Sequence, residues 1–110
     1  MECKYRIGQV IVNSRFGYRG VIVAADATFV GTETWYHRVE KSEPPKDEPW
    51  YRVLVEDGTG HAYVAERHLE PDPSAAPVNH PDLPLYFDRF EEGRYSRSTT
   101  PPPPSPASDG

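Results

Sequence analysis

The residues best suited to chemistry lie together at Arg15-Phe16-Gly17-Tyr18-Arg19. Two guanidiniums beside two aromatic rings can hold phosphates while a ring stacks on a base, or can clamp an extended acidic peptide. Arg15, Phe16, Tyr18 and Arg19 are therefore the candidate macromolecule-binding set. The competing reading has Phe16 plugging the end of a small barrel, with both arginines merely solvated. Elsewhere chemistry finds little support. His37, His61, His68 and His80 have no metal-ligand spacing, and Cys3 is the only cysteine, so neither an intrachain disulfide nor a cysteine-based zinc site can form. Glu40, Glu43, Asp47 and Glu48 surround a proline-rich connector, a place for solvated charge rather than a shared proton. Ser14 and Ser42 lack a Gly-x-Ser-x-Gly elbow. No catalytic residue, metal ligand or cofactor site is assigned, and the expectation is a protein that is not an enzyme.

The arginine–aromatic set must be held by strands. Two β-branched runs, Val10-Ile11-Val12 and Val21-Ile22-Val23, flank it, and the glycines at 17 and 20 permit a loop longer than a two-residue turn. Gly31 to Glu40 suits a short helix, with Thr32 as N-cap, Glu33 in the first turn, and Trp35 and Val39 on one face. Ser42-Glu43-Pro44-Pro45 stops it, and residues 44–49 connect to the clearest strand, Trp50 to Glu56. Asp57-Gly58-Thr59-Gly60 turns the chain back into His61 to Ala65, and Glu66 to Glu70 turns again to bring Leu69 onto the core. Trp35, Trp50, Tyr51 and Tyr63 read as core and rim, because a core this small needs aromatic area. The expected fold class is mainly β: a small SH3-like bent antiparallel β-barrel with one short inserted helix.

Composition bounds the rest. Of 110 residues, 13 are proline and ten of these fall at or after Pro71, so the foldable part is nearer 85 residues and leaves no room for a second domain. Pro71 to Pro84 reads as an arm lying on the barrel. Leu85, Tyr86, Phe87 and Phe90 form one apolar patch, a candidate oligomer contact in one helical turn. The expected domain spans residues 1–87, with 88–110 an extension that is low-complexity and disordered from about 96. Its Pro101–Pro104 run suits polyproline II geometry. Net charge is −5 and uneven: Lys4, Arg6, Arg15 and Arg19 oppose only Glu2 in the first 25 residues, whereas residues 26–70 hold ten acids against five bases. That balance excludes a broad basic face and leaves DNA contacts local to the N-terminal strands. The longest aliphatic run, Val21 to Ala25, is too short to span a membrane, and Glu2, Lys4 and Arg6 precede no signal-like stretch, so a soluble cytoplasmic protein is expected.

Five segments in order resemble one pattern: Lys4 to Val10, Phe16 to Val23, Pro44 to Val55, Tyr63 to Glu66 and Leu69 to Pro71, with Asn79-His80-Pro81 in the arm. The sequence is similar to the YccV-like, or hemimethylated-DNA-binding, family over about Lys4 to Phe87; bacterial members include the heat-shock protein HspQ. The resemblance implies a small β-barrel with a regulatory, non-catalytic role. It implies first a heat-shock factor that binds other proteins and modulates degradation of denatured substrates by ATP-dependent proteases. Related domains in larger proteins sit beside proteolysis machinery. The alternative it implies is recognition of hemimethylated DNA and an influence on replication initiation. It also implies a homo-oligomer, a trimer in bacterial members.

Overall fold

The structure, a computed structural model, describes residues 3–39 and 45–97. The end of the expected helix at Glu40, the Ser42–Pro44 stop and the tail from residue 98 lie outside the described residues. In chain order the elements are β1 (Val10–Asn13), β2 (Arg19–Asp26), α1 (Glu33–Val39), β3 (Trp50–Val55), β4 (His61–Ala65), a 3₁₀ turn (Glu66–His68), β5 (Leu69–Pro71), α2 (Leu83–Tyr86), β6 (Arg89–Glu91) and β7 (Arg94–Ser96). Thr32 caps α1 as the sequence indicates, its Oγ1 accepting the Trp35 N–H at 3.1 Å.

Five strands form one antiparallel sheet in the order β4-β3-β2-β1-β5. Its two edges, β4 and β5, are joined only by the three-residue 3₁₀ turn. In a flat sheet those edges would stand about 19 Å apart, four spacings of ~4.8 Å. A 3₁₀ turn of three residues covers only ~6 Å, so the sheet must roll until its edges approach. A bulge in β2 between Ile22 and Ala24 leaves Val23 without a partner on β3 and adds to the bend. The expected barrel is therefore a strongly rolled sheet that no ladder closes between β4 and β5.

Both faces of the central strands are buried, which is why their sequences run apolar without a break. Ile11, Ile22, Tyr51, Val53, Val64 and Leu69 fill the inside of the roll, together with Tyr5. Val10, Val21, Val23 and Leu54 face outward and are covered by Val78, Phe87 and Tyr95 from the C-terminal arm. At the far end of the outer face, Trp50 and Ala65 pack under Tyr36, with Phe29, Trp35 and Tyr63 around them.

Packing onto the outer face of the sheet continues past Phe87. β6 and β7 form a two-stranded hairpin, Tyr95 is buried in the outer cluster, and its N–H donates to the Gly8 carbonyl at 2.9 Å. Gly8 lies at φ +94°, and a Cβ there would sit 2.0 Å from the Tyr95 oxygen, so only glycine allows this approach. The apolar patch is mostly consumed by the same packing: Phe87 is 6% exposed, while Tyr86 and Phe90 pack against the outer cluster. Leu85 alone of the four stands out, at 69% exposure.

Candidate functional site

Asn13, the last residue of β1, shapes the β1–β2 loop. It is buried, and its Oδ1 accepts the backbone N–H groups of Arg15 at 2.8 Å and Phe16 at 2.9 Å. Its Nδ2 donates to the Tyr18 hydroxyl at 3.0 Å, and its carbonyl accepts the N–H of Gly17, which lies at φ +80°. An Asx turn thus fixes the loop. The Phe16 ring does not plug the barrel. It projects at 69% exposure with the Arg15 guanidinium 5.0 Å from its centre.

Between this loop and β4 runs a cleft of about 420 Å³. Asn13, Arg15, Phe16 and Tyr18 form one wall; His61 to Val64 of β4 form the other; Trp35, Arg52 and His68 complete it. No aspartate or glutamate lines the cleft. Arg52 extends over the Tyr63 ring, 5.9 Å from its centre. Tyr63 is fixed from below: its hydroxyl donates to Asp26 Oδ2 at 2.8 Å and accepts the Val30 N–H at 3.1 Å. Burial, reinforced by the Asp26 carboxylate, pushes its phenol up to about 12, so it stays a neutral donor at any physiological pH.

The wall formed by β4 is a sheet edge. Glu66 N–H bonds the Pro49 carbonyl and Val55 N–H bonds the Gly60 carbonyl, which sets the ladder phase. Residues 62 and 64 then turn their backbone groups to β3, and residues 61, 63 and 65 turn theirs outward. Among the described residues the outward groups of His61 and Tyr63 have no backbone partner, while Ala65 caps the 3₁₀ turn. The cleft offers unpaired N–H and C=O groups, aromatic side walls and positive charge, the requirements for holding an extended strand.

Arg19, counted with Arg15 in the sequence, works elsewhere. It opens β2 opposite Val12 and donates to Glu56 Oε2 at 2.6 Å, Asp72 Oδ2 at 2.9 Å and the Ala76 carbonyl at 2.5 Å. Burial lowers its pKa, but the bonds to Asp72 and Glu56 outweigh this and hold it above its ordinary value. Arg19 is a clamp on the arm, and the structure brings together only Arg15, Phe16 and Tyr18 of the four.

His61, His80 and Asp82 form a group that spacing did not mark, with ligand atoms within 4.8 Å of one another. His80 is buried and both ring nitrogens are engaged: Nδ1 accepts the Asp82 N–H at 3.0 Å, and Nε2 faces the Gly60 carbonyl at 3.1 Å. That pairing requires a proton on Nε2. A metal would have to displace it, so the group reads as a hydrogen-bonded brace between the arm and the β3–β4 turn, completed by His61 Nε2 to Asp82 Oδ2 at 2.8 Å. Sequence reasoning also missed Asn13 and Arg52. The first had a signal, an asparagine ending a β-branched run before a glycine loop. Arg52 had none, since alternation gives the face of a charged strand residue but not its neighbour.

Comparison with known proteins adds the following. The sequence model of the family described as "Hemimethylated DNA-binding protein YccV like" matches residues 3–94. F-box only protein 21 of Mus musculus is 34% identical over 93 residues, which is 83% of this chain and 15% of that protein. F-box only protein 21 of Homo sapiens is 33% identical over 93 residues, again 83% and 15%. The chain spans about 15% of the length of these curated relatives.

Proposed function

This chain belongs to the YccV-like family of hemimethylated-DNA-binding proteins, and from that membership we propose a non-catalytic regulatory module that binds denatured proteins and modulates their degradation by an ATP-dependent protease. The observation that carries this reading is the open β4 edge beside the loop of Arg15, Phe16 and Tyr18. A denatured chain offers extended segments with unsatisfied backbone groups, and a free edge strand pairs with such segments whatever their sequence. The aromatic walls then favour apolar side chains at alternate positions. The same domain makes up a small part of the F-box only protein 21 chains, as expected of a module that contributes binding to a larger assembly.

The test is degradation of a denatured fluorescent reporter by a purified ATP-dependent protease, with and without this protein. Phe16→Ala with Arg52→Ala removes two exposed cleft side chains. The proposal expects the wild-type protein to change the degradation rate and the double variant to lose most of that effect. Identical rates with and without the wild-type protein across several proteases would end the reading.

A second reading is favoured by the family description: recognition of hemimethylated DNA. A cleft without carboxylates in a chain of net charge −5 suits a phosphate backbone as well as a peptide. Filter binding to half-methylated and fully methylated duplexes of one sequence separates it, and equal affinity for the two would remove methylation from the account.

A further inference from the structure

A second depression, outside the β4 cleft, gathers three arginines beside apolar side chains. It measures about 450 Å³ and is lined by Arg6, Arg94 and Arg97, by Tyr86 and Ser96, and by the apolar Ile7, Phe87 and Tyr95. The fold assembles it from segments far apart in sequence. Tyr95 N–H bonds the Gly8 carbonyl and Gln9 bridges to Arg94, which zips β7 onto the N-terminal segment and sets Arg6 beside Arg94 and Arg97. Arg97 is pre-positioned: its Nε donates to the Tyr86 carbonyl at 3.1 Å and its Nη2 to the Leu85 carbonyl at 2.9 Å, leaving further N–H groups of the fork unused.

No carboxylate lines this depression. Glu91, the cross-strand partner of Arg94, leans to Arg89 at 3.8 Å instead. Among the described residues Arg6 and Arg94 have no ion pair. Three guanidiniums gathered on one surface repel one another unless an anion lies among them. Charged nitrogens with no carboxylate among them suit a phosphodiester better than a peptide, whose amides need acceptors as well.

Resting on the second reading above, we infer that Arg6, Arg94 and Arg97 form the site where a nucleic-acid backbone docks. Arg15 and Arg19 of the hairpin loop are not that site. Arg19 is committed to the arm, whereas Arg6 and Arg94 face solvent.

The test is fluorescence anisotropy of a labelled hemimethylated duplex with the full chain at 50 and 200 mM salt. Three phosphate contacts give a slope of about −2.7 in log K against log salt, an affinity loss of about 40-fold between the two salts. Arg6→Ala with Arg94→Ala leaves Arg97, whose backbone bonds hold α2, in place. The slope should then fall to about −0.9, an affinity loss of about 3.5-fold between the salts. Arg67→Ala, an exposed side chain outside both depressions, should leave the wild-type slope unchanged. Circular dichroism melts of both variants should match the wild type, since all three side chains are exposed. A double variant with the wild-type slope, or a slope lost in Arg67→Ala instead, overturns the assignment while nucleic-acid binding stands. A wild-type chain that binds no duplex at either salt removes the second reading and this site with it.

Discussion

Replacing Arg19 by alanine should detach the C-terminal arm from the rolled sheet. The guanidinium bonds Glu56, Asp72 and the carbonyl of Ala76, and reaches the Pro77 carbonyl at 3.4 Å. Hydrogen bonds between charged partners contribute about 1.5–3 kcal/mol each. Asp72 is 6% exposed and would lose its cation, although Ser74 Oγ still donates to it at 2.7 Å. Solvent reaching Glu56 discounts that bond. Together these give a loss of about 3 kcal/mol, which for a domain of this size lowers Tm by roughly 12–24 °C. Urea unfolding at pH 7 measures it. Arg19→Lys restores charge without the fork and should recover about half. For the Arg19→Ala/Asp72→Ala double-mutant cycle, the coupling should exceed about 1 kcal/mol. The pH dependence has a definite sign. Burial raises the Asp72 pKa, but bonds from Ser74 and Arg19 outweigh it and hold the carboxyl below its ordinary value. Its contribution is therefore present above the unfolded pKa of about 3.9 and is lost as pH falls through the folded value. The gap between wild type and Arg19→Ala should narrow below about pH 4. A loss under about 0.5 kcal/mol, with no coupling, would mean that the clamp is only a surface ion pair and that the arm is held by its apolar contacts alone.

Gly8→Ala should cost more than about 3 kcal/mol by urea unfolding, because it adds a backbone clash with Tyr95 to the strain of positive φ; Gly17→Ala, also at positive φ but in open space, should cost only about 1 kcal/mol. Ultraviolet titration should place the Tyr63 phenol near 12, with Tyr51, held up by burial and by Glu66, higher still. Both values lie above the unfolded value of about 10. The stability they contribute is complete below that value and is lost as pH rises through the folded ones, so unfolding should set in above about pH 10. Asp26→Asn should bring the Tyr63 midpoint down. Phe87→Ala should cost about 3–5 kcal/mol, while Leu85→Asp should leave Tm within about 2 °C; equal losses would place Leu85 in a contact that the single chain does not contain.

The strands were legible in the sequence because their signal is local. Val10 to Val12, Val21 to Val23 and Trp50 to Val55 are β-branched and aromatic runs bounded by glycine or proline, and all became strands. The Thr32 cap was legible for the same reason. What could not be read were contacts that depend on how the sheet rolls. Tyr95 lies in a stretch of Glu, Gly and Arg that looks polar, and only its approach to Gly8 and Phe87 makes it core. Packing onto the outer face consequently continues past Phe87. Arg15 and Arg19 sit four apart in a loop, where spacing does not determine facing. Asn13 turns Arg15 toward the cleft side, while the pleat of β2 sends Arg19 to the outer face and the arm. A shared motif in sequence thus divides into a binding side chain and a structural one.

The same geometry explains how an acidic chain can present basic surfaces. Several of its carboxylates are engaged by neighbouring donors. Glu56 and Asp72 hold Arg19, Glu66 accepts the Tyr51 hydroxyl and the Lys4 N–H, and Asp26 accepts the Tyr63 hydroxyl. Asp82 holds His61, and Glu48 and Glu33 hold Arg67 and Lys46. Each carboxylate so engaged has its negative charge offset or directed at a neighbouring donor, and it is missing from the linings of both depressions. Arg52, Arg6 and Arg94 are left to set the local field that an incoming partner meets, screened over about 8–10 Å at ordinary salt. Net charge therefore bounds the long-range field of this domain, while the placement of its acids away from the two depressions determines where a partner can dock.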